Sequence, residues 1–457
     1  MLRSENLQGG PPGSGTTGPI HSTIIEHFFP SHLRDWIPQA GEHLNVSENT
    51  DSIHSNIIGA SIQPANIDST ATRYHRSYSA NSYLPLAGSN LEILSDSLVS
   101  KVNLEKRGSK HRVTGVTLST GTIIYVNKEV IISAGAIGSP ALLERSGIGQ
   151  ASILGAAKVE QLIDLPGVGE NFQDHVRVQT CYHLKKPFTS TTDSLRNNPT
   201  YAASALETYL AGKRGPLDFS GAGFIFANWN QTLLGGDDTA LVALARKSVG
   251  ASSDIGHKLK LAQLADRSIP QVEVIFSDGY TGMKGYPPAG TPLHGDGFFT
   301  LIAGLMHPLS RGSVHINASD PLGAPIIDPK YLDNEYDIQA MVELAKFCRR
   351  IALSEPVRGY WDFEYEPGLD AVQTEEQWRE FALATTLSIF HPMGTAAMLP
   401  RKAGGVVDPK LVVYGAENLR VADASIIPVE LSAHIQTAVY GIAERAAEII
   451  LGHARSG

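Results

Sequence analysis

The chain has 457 residues, room for about two to four structural units at roughly 100–200 residues each, which excludes a peptide, a lone zinc finger or a bare coiled coil. Charged residues make up 18%, the set AVILMFWYC makes up 42%, and the 44 Gly exceed their usual share of about 7%, so the chain reads as globular and turn-rich rather than disordered. Lys and Arg number 37 against 46 Asp and Glu, a net charge of −9 with no basic cluster, which argues against nucleic acid as a partner.

Cys181 and Cys348 cannot make a disulfide framework and lie in neither CxxC nor CxxH spacing, so no metal site is expected. The best apolar stretch, 130–143, is too short for a bilayer and contains Gly135, Gly138 and Pro140, so no membrane span is expected. The opening MLRSENLQGGPPGSG has no apolar h-region and is not expected to be a signal peptide. Sequons at Asn45, Asn230 and Asn317 do not separate a cytoplasmic from a secreted protein, and the sequence leaves both open.

In chain order, residues 1–85 are rich in Gly, Pro, Ser, Asn and His and read as an irregular segment wrapped over a larger body. Within it, Gly13 to Gly18 spell G-x-G-x-x-G. With Gly-Gly-Pro-Pro before it and Pro19 after it, the run lacks the strand and helix that a dinucleotide site needs, so it reads as a surface loop. The β-type runs 91–94, 97–104, 113–118 and 122–126, with a turn at Ser119-Thr120-Gly121, predict an antiparallel meander. Next, an apolar strand over 130–132 enters a turn with Gly135 and Gly138 and then a helix from about Ser139, the start of an α/β layer.

Residues 298–316 predict paired strands of a mixed sheet. Thr374 and Gln377 fit a capping box opening a helix that ends before His391. A short buried strand over 419–422 ends in a polar turn, Asp423 to Ser425, where ligands of open α/β sheets bind. The segment 436–451, with Val439, Ile442, Ala446 and Ile449 on one stripe and Gly452 beyond, is an amphipathic helix.

Two histidines flank this last region. Pro392 biases His391 toward extended backbone angles, which would hold its imidazole in one direction, and histidine is the common general base near neutral pH. His434 lies just before the final helix, whose positive end disfavours an imidazolium and whose free N–H groups, from Ile435 onward, suit a developing negative charge. A base beside an anion site is what removal of a proton and a hydride from an alcohol requires.

Four runs resemble the glucose–methanol–choline (GMC) oxidoreductases. They are Gly135 to Leu143 with Ser146-Gly147-Ile148-Gly149, Asp164 to His175, His307 to Val314, and the whole stretch His391 to Leu451. The likeness extends from about Gly18 to the end. It implies a mixed α/β fold: an FAD-binding, doubly wound domain from residues 86–175 and 386–457, and a substrate domain with an antiparallel sheet from 176–385. It further implies FAD as cofactor, His391 as base and His434 as its assistant. Val99 would meet the adenine end through its backbone, Asp423 and Ala424 the sugar chain and pyrophosphate, and Ile435 and Gln436 the ring.

Family members open with a strand, a Gly-rich turn and a helix. No such unit is legible here, so the chain is expected to be shortened at its N-terminus and its FAD domain incomplete. The Ala-His-Ile-Gln-Thr-Ala form at 433–438 most resembles fungal members that oxidise alcohols of aromatic or polyketide metabolites. The expected function is therefore an FAD-dependent dehydrogenase or oxidase of a small-molecule alcohol. The residues leave two alternatives: a cyclase or dehydratase using the two histidines as acid and base, and an inactive fragment.

Overall fold

The computed structural model of the protein describes residues 5–8, 14–24, 36, 39–41, 44–53, 56–218, 223–252 and 254–452. In chain order, the elements that position the site are β1 (Glu5–Gln8), β2 (Ile20–Thr23), β3 (Gly59–Ile62), β4 (Val99–Arg107), β5 (Lys110–Leu118), β6 (Ile123–Tyr125), β7 (Val130–Ile132) and α1 (Gly135–Arg145). They continue with β8 (Val176–Leu184), β9 (Gly223–Ala227), β10 (Val272–Asp278), β11 (Phe298–Leu305), α2 (Glu335–Leu353), β12 (Trp361–Glu366), α3 (Glu375–Thr385), β13 (Leu387–Ser388), β14 (Leu419–Val421) and α4 (Gln436–Ile450).

Seven strands form one antiparallel sheet in the order β12-β8-β11-β10-β9-β3, with β13 paired to β8. Period-two alternation divides its residues between two faces. One face presents Val176 and Val178, Ile225 and Ala227, Val272, Val274 and Phe276, and Phe299, Leu301, Ala303 and Leu305 to the main core. There α2 lays down Ala340, Met341, Leu344, Phe347, Cys348 and Ile351, all buried. Each large aliphatic or aromatic side chain sealed this way contributes on the order of 1.5–3 kcal/mol. The other face carries His175, Phe224, Phe226, Glu273, Ile275 and Gly304, and the register sets Phe226, Glu273, Gly304 and Arg177 in one row across four strands.

The second layer is parallel. β7 pairs with β14 across nearly 300 positions of sequence, a pairing supported by Asn418, whose side-chain amide bonds the backbone of Val113 and Lys128. The meander packs beside it as β4-β5-β6, with the turn closing at Gly121 (φ +87°). Asp423 stitches the layer together. Its carboxylate accepts from the Gly135 N–H (2.9 Å) and the Ser139 hydroxyl on one oxygen, and from the Ser425 N–H and hydroxyl on the other.

Several sequence expectations need correction. Residues 91–94 form no strand; they run exposed and unpaired ahead of β4, because none of their apolar side chains meets a core. The helix expected from about Ser139 starts at Gly135 and keeps Pro140 inside. Proline leaves the Ala136 carbonyl without its helical donor, and the buried Thr395 hydroxyl donates to it instead (2.6 Å), which is how the helix tolerates the ring. Residues 298–316 do not pair with each other: β11 belongs to the large sheet, while Ser313–His315 pairs with Ile326–Asp328.

The described part of 1–85, expected to be irregular, supplies β1, β2 and β3, the last an edge strand of the large sheet. Two local patterns hold. Thr374 and Gln377 exchange both capping-box hydrogen bonds at the start of α3, and α4 ends with Gly452 at φ +72°. Gly13 lies outside the described residues. From Ser14 to Gly18 the run leads into strand β2 rather than a helix, so it offers no helix N-terminus to a phosphate. Cys181 and Cys348 are buried and free, and among the described residues no helix is long and apolar enough to cross a membrane.

Candidate active site

Helix α3 ends at Thr385, before His391 as expected. The chain first pairs β13 with Val176 and Arg177, then turns through Phe390, which sits at φ +65° with 80% of its surface exposed. This brings His391 against the second face of the large sheet, where its N–H donates to Asp174 Oδ1 (2.8 Å). His434 arrives from the other side, on the loop ahead of α4. The two imidazoles lie with centroids 4.8 Å apart, and His434 meets Phe224 edge-on at 5.5 Å. Phe226, Met306, Ile57 and Ile275 pack with Phe224, so the wall beside the pair is apolar.

The electrostatics separate the two rings. Burial, reinforced by the His434 charge, lowers the His391 imidazole to about 3, so it stays neutral at ordinary pH. Burial opposes the charge on His434 as well, but Glu273 outweighs it: Oε1 of this fully buried acid lies 2.7 Å from Nε2, and the imidazole is raised above its usual value. The sequence expectation of a neutral His434, based on the helix end alone, is corrected here. A buried carboxylate in direct contact outweighs the partial charge of a helix terminus.

Of the remaining expected site residues, Val99, Asp423 and Ala424 are linked through the chain and its hydrogen bonds, and Ile435 and Gln436 lie at the start of α4. Val99, at the start of β4, borders an open cavity of about 440 Å³ shared with Leu98, Val116, Ile131 and Ala134. Ala134 leads to Gly135, and Gly135 to Asp423. Ala424 then accepts from the Gly394 N–H, three residues beyond His391. Ile435 is the N-cap of α4 without a side-chain cap, and Gln436 is its first residue. Val99 stands apart from the histidines, neither of which lines its cavity.

Two sequence profiles described as GMC oxidoreductase match the chain, at residues 31–177 and 308–443. The GMC oxidoreductase family protein Mala s 12 of Malassezia sympodialis is 33% identical over 96% of this chain and 68% of its own length. The chain belongs to the GMC oxidoreductase family. Dehydrogenase mpl7 of Monascus purpureus is 30% identical over 98% of this chain and 76% of its own. A solved fungal aryl-alcohol oxidase superimposes with a TM-score of 0.83 at 28% identity, covering 99% of this chain and 78% of that one.

GMC oxidoreductases use FAD, and the residues of this family member fit that group. The cavity at Val99 is open and mainly apolar, with Ser97, Ser133 and Arg145 as its polar lining. The turn at Gly135 (φ +75°) has nothing within 4 Å of where a Cβ would stand, which leaves the backbone approachable. The first N–H groups of α4, beside His434, suit an anion. The Asp423 carboxylate already accepts four hydrogen bonds within the protein, so at this position the backbone, rather than the acid, is left for a ligand.

Sequence reasoning gave no role to Glu273, Phe224, Phe226 or His175. Glu273 left a signal, since it is the lone acid flanked by valines in VEVIFSD, and period two turns it away from the core that Val272, Val274 and Phe276 enter. His175 closes the run Asp164 to His175, but nothing in its neighbours says that it meets His391. Phe224 and Phe226 lie in the continuous apolar run GFIFA, which carries no signal separating a site wall from a core.

Proposed function

We propose that this GMC oxidoreductase oxidises the alcohol of a small aromatic or polyketide-like metabolite. His391 takes the hydroxyl proton, and His434, held as an imidazolium by Glu273, steadies the oxygen as its negative charge develops. FAD, when bound, supplies the hydride acceptor. The observation that carries the reading is the geometry of the pair: two imidazoles 4.8 Å apart on the apolar wall of Phe224, one kept neutral by burial and the other set against the Glu273 carboxyl, which raises its basicity.

The wall supports an aromatic or otherwise apolar alcohol over a sugar, because Glu273, the charged group the sheet contributes next to it, is already engaged by His434. The aryl-alcohol oxidase among the structural neighbours points the same way. By the same reading, 86–175 with 386–457 hold the flavin, and 176–385 hold the substrate, with 1–85 lying across both.

The test is turnover of a benzylic alcohol by the flavin-loaded protein and by His391→Gln. The expected product is lighter by two hydrogens, and the variant loses at least about 100-fold in kcat while keeping its flavin. Undiminished turnover in the variant, or a product that has lost water, overturns the assignment.

A further inference from the structure

His391 touches a third imidazole. His175, entirely buried just ahead of β8, places its Nδ1 2.9 Å from Nδ1 of His391, with the two rings at 89°. Two nitrogens at that distance share one proton: one donates and the other accepts. Both rings are uncharged, His175 because burial first, then the neighbouring His391, His307, Lys260 and His434, hold its imidazole well below its ordinary value. Whichever way the shared proton lies, Nδ1 of His391 is occupied, and Nε2 is the nitrogen left for an alcohol.

The backbone holds this contact from both sides. Gln173 and Met393 exchange N–H···O bonds of 2.9 and 3.0 Å, the His175 carbonyl accepts from the Ile389 N–H (2.9 Å), and Asp174 takes the His391 N–H together with the Ser388 and Tyr331 hydroxyls. Residues 173–176 and 388–393 are thus fastened along their length, with both imidazoles in the middle. This lacing fixes the backbone that carries the two rings, and the Nδ1–Nδ1 contact is the bond that a swing of either ring would break.

We infer that His175 is a positioning residue for His391: its Nδ1 accepts the Nδ1–H of His391, which fixes the plane of that ring and puts the lone pair on the Nε2 that faces the substrate. The inference rests on the reading of His391 as the base. When Nε2 of His391 binds the alcohol's proton, the ring carries protons on both nitrogens. The Nδ1–H then points at the uncharged acceptor on His175. A carboxylate there would raise the basicity of His391; a neutral imidazole orients the ring while leaving it uncharged in the resting protein.

The direct test is ¹⁵N NMR of the histidine-labelled protein at neutral pH, with the His391 signals assigned by their loss in His391→Gln. The expected pattern is a neutral ring protonated on Nδ1 and bare on Nε2. A His391 protonated on Nε2, or an averaged pair of tautomers, overturns the inference, and this reading needs neither substrate nor turnover.

The second test is kinetic. His175→Phe keeps the ring's bulk without its nitrogens, and His175→Asn restores an acceptor close to the Nδ1 position. The Phe variant is expected to lose about 30–100-fold in kcat with the alcohol KM within about twofold, and the Asn variant to regain most of it. Wild-type kcat in His175→Phe, alongside a dead His391→Gln, removes the positioning role and leaves the base assignment standing. If His175→Phe does not fold, the tautomer read from the wild-type protein decides alone.

Discussion

At the scale of single residues, the proposed mechanism rests on two adjacent imidazoles whose surroundings push their basicities in opposite directions. Burial keeps His391 neutral, and the buried Glu273 keeps His434 protonated above its usual range. Since the Glu273 contact raises the His434 value, the imidazolium persists to higher pH than in a free histidine and is lost as pH climbs through that raised value. Turnover is therefore expected to fall on the alkaline side, and Glu273→Gln should move that limb to lower pH, with activity dropping about tenfold for each unit of displacement. A pH profile of kcat/KM in the two proteins checks this. An alkaline limb that stays in place in Glu273→Gln shows that His434 does not act as a cation.

At the scale of elements, the fold joins distant segments through a few buried acids, each aimed at backbone. Asp423 ties the α1 turn to the end of β14, and Glu144 in α1 accepts from the Ile316 N–H while its other oxygen meets His315 Nδ1 at 2.6 Å. Hydrogen bonds to Glu144 and then Glu170 raise the His315 imidazole to about 9 against the cost of burial. The folded value exceeds that of the unfolded chain, so this contact contributes stability that is complete below about pH 6.5 and is lost as pH rises through about 9. The contribution is on the order of 3 kcal/mol. Urea unfolding at about pH 6 and pH 9.5 should show His315→Gln less stable than wild type at the lower pH and level with it at the higher. An equal gap at both values contradicts the clamp.

These elements also show what the sequence made legible. Periodicity and caps placed α3, α4, β7 and β14 closely, because local chemistry sets them: Thr374 with Gln377, the stripe ending at Ala446 and Ile449, the apolar triplets of the parallel pair. Contacts set by long-range pairing were not legible. Nothing near position 140 announces that Thr395 will replace the donor Pro140 lacks, and nothing near 298–316 separates a strand of the large sheet from one beside Ile326–Asp328. The same holds at the site. His391 and His434 were readable from their flanking proline and helix, whereas Glu273 and His175 reach them only once β8 and β10 take their places in the sheet.

At the scale of the whole molecule, the antiparallel sheet serves as a partition. One face is sealed by α2 into the main core, and the other presents Phe224, Phe226, Glu273 and His175 to the loops that carry His391 and His434. The parallel pair belongs to the second layer, where Asp423 ties the α1 turn to the end of β14 and an open cavity lies at Val99. The proposed function draws on both layers, the first for the alcohol and the second for the flavin.

The measurement that bears most directly on this account is the visible spectrum of the purified protein after FAD is added and the excess removed, followed by anaerobic addition of a benzylic alcohol. The account expects a retained flavin band near about 450 nm that bleaches on addition of the alcohol, and a His391→Gln protein that keeps the band but bleaches at least about 100-fold more slowly. A protein that retains no band, or a variant that bleaches as fast as wild type, contradicts it.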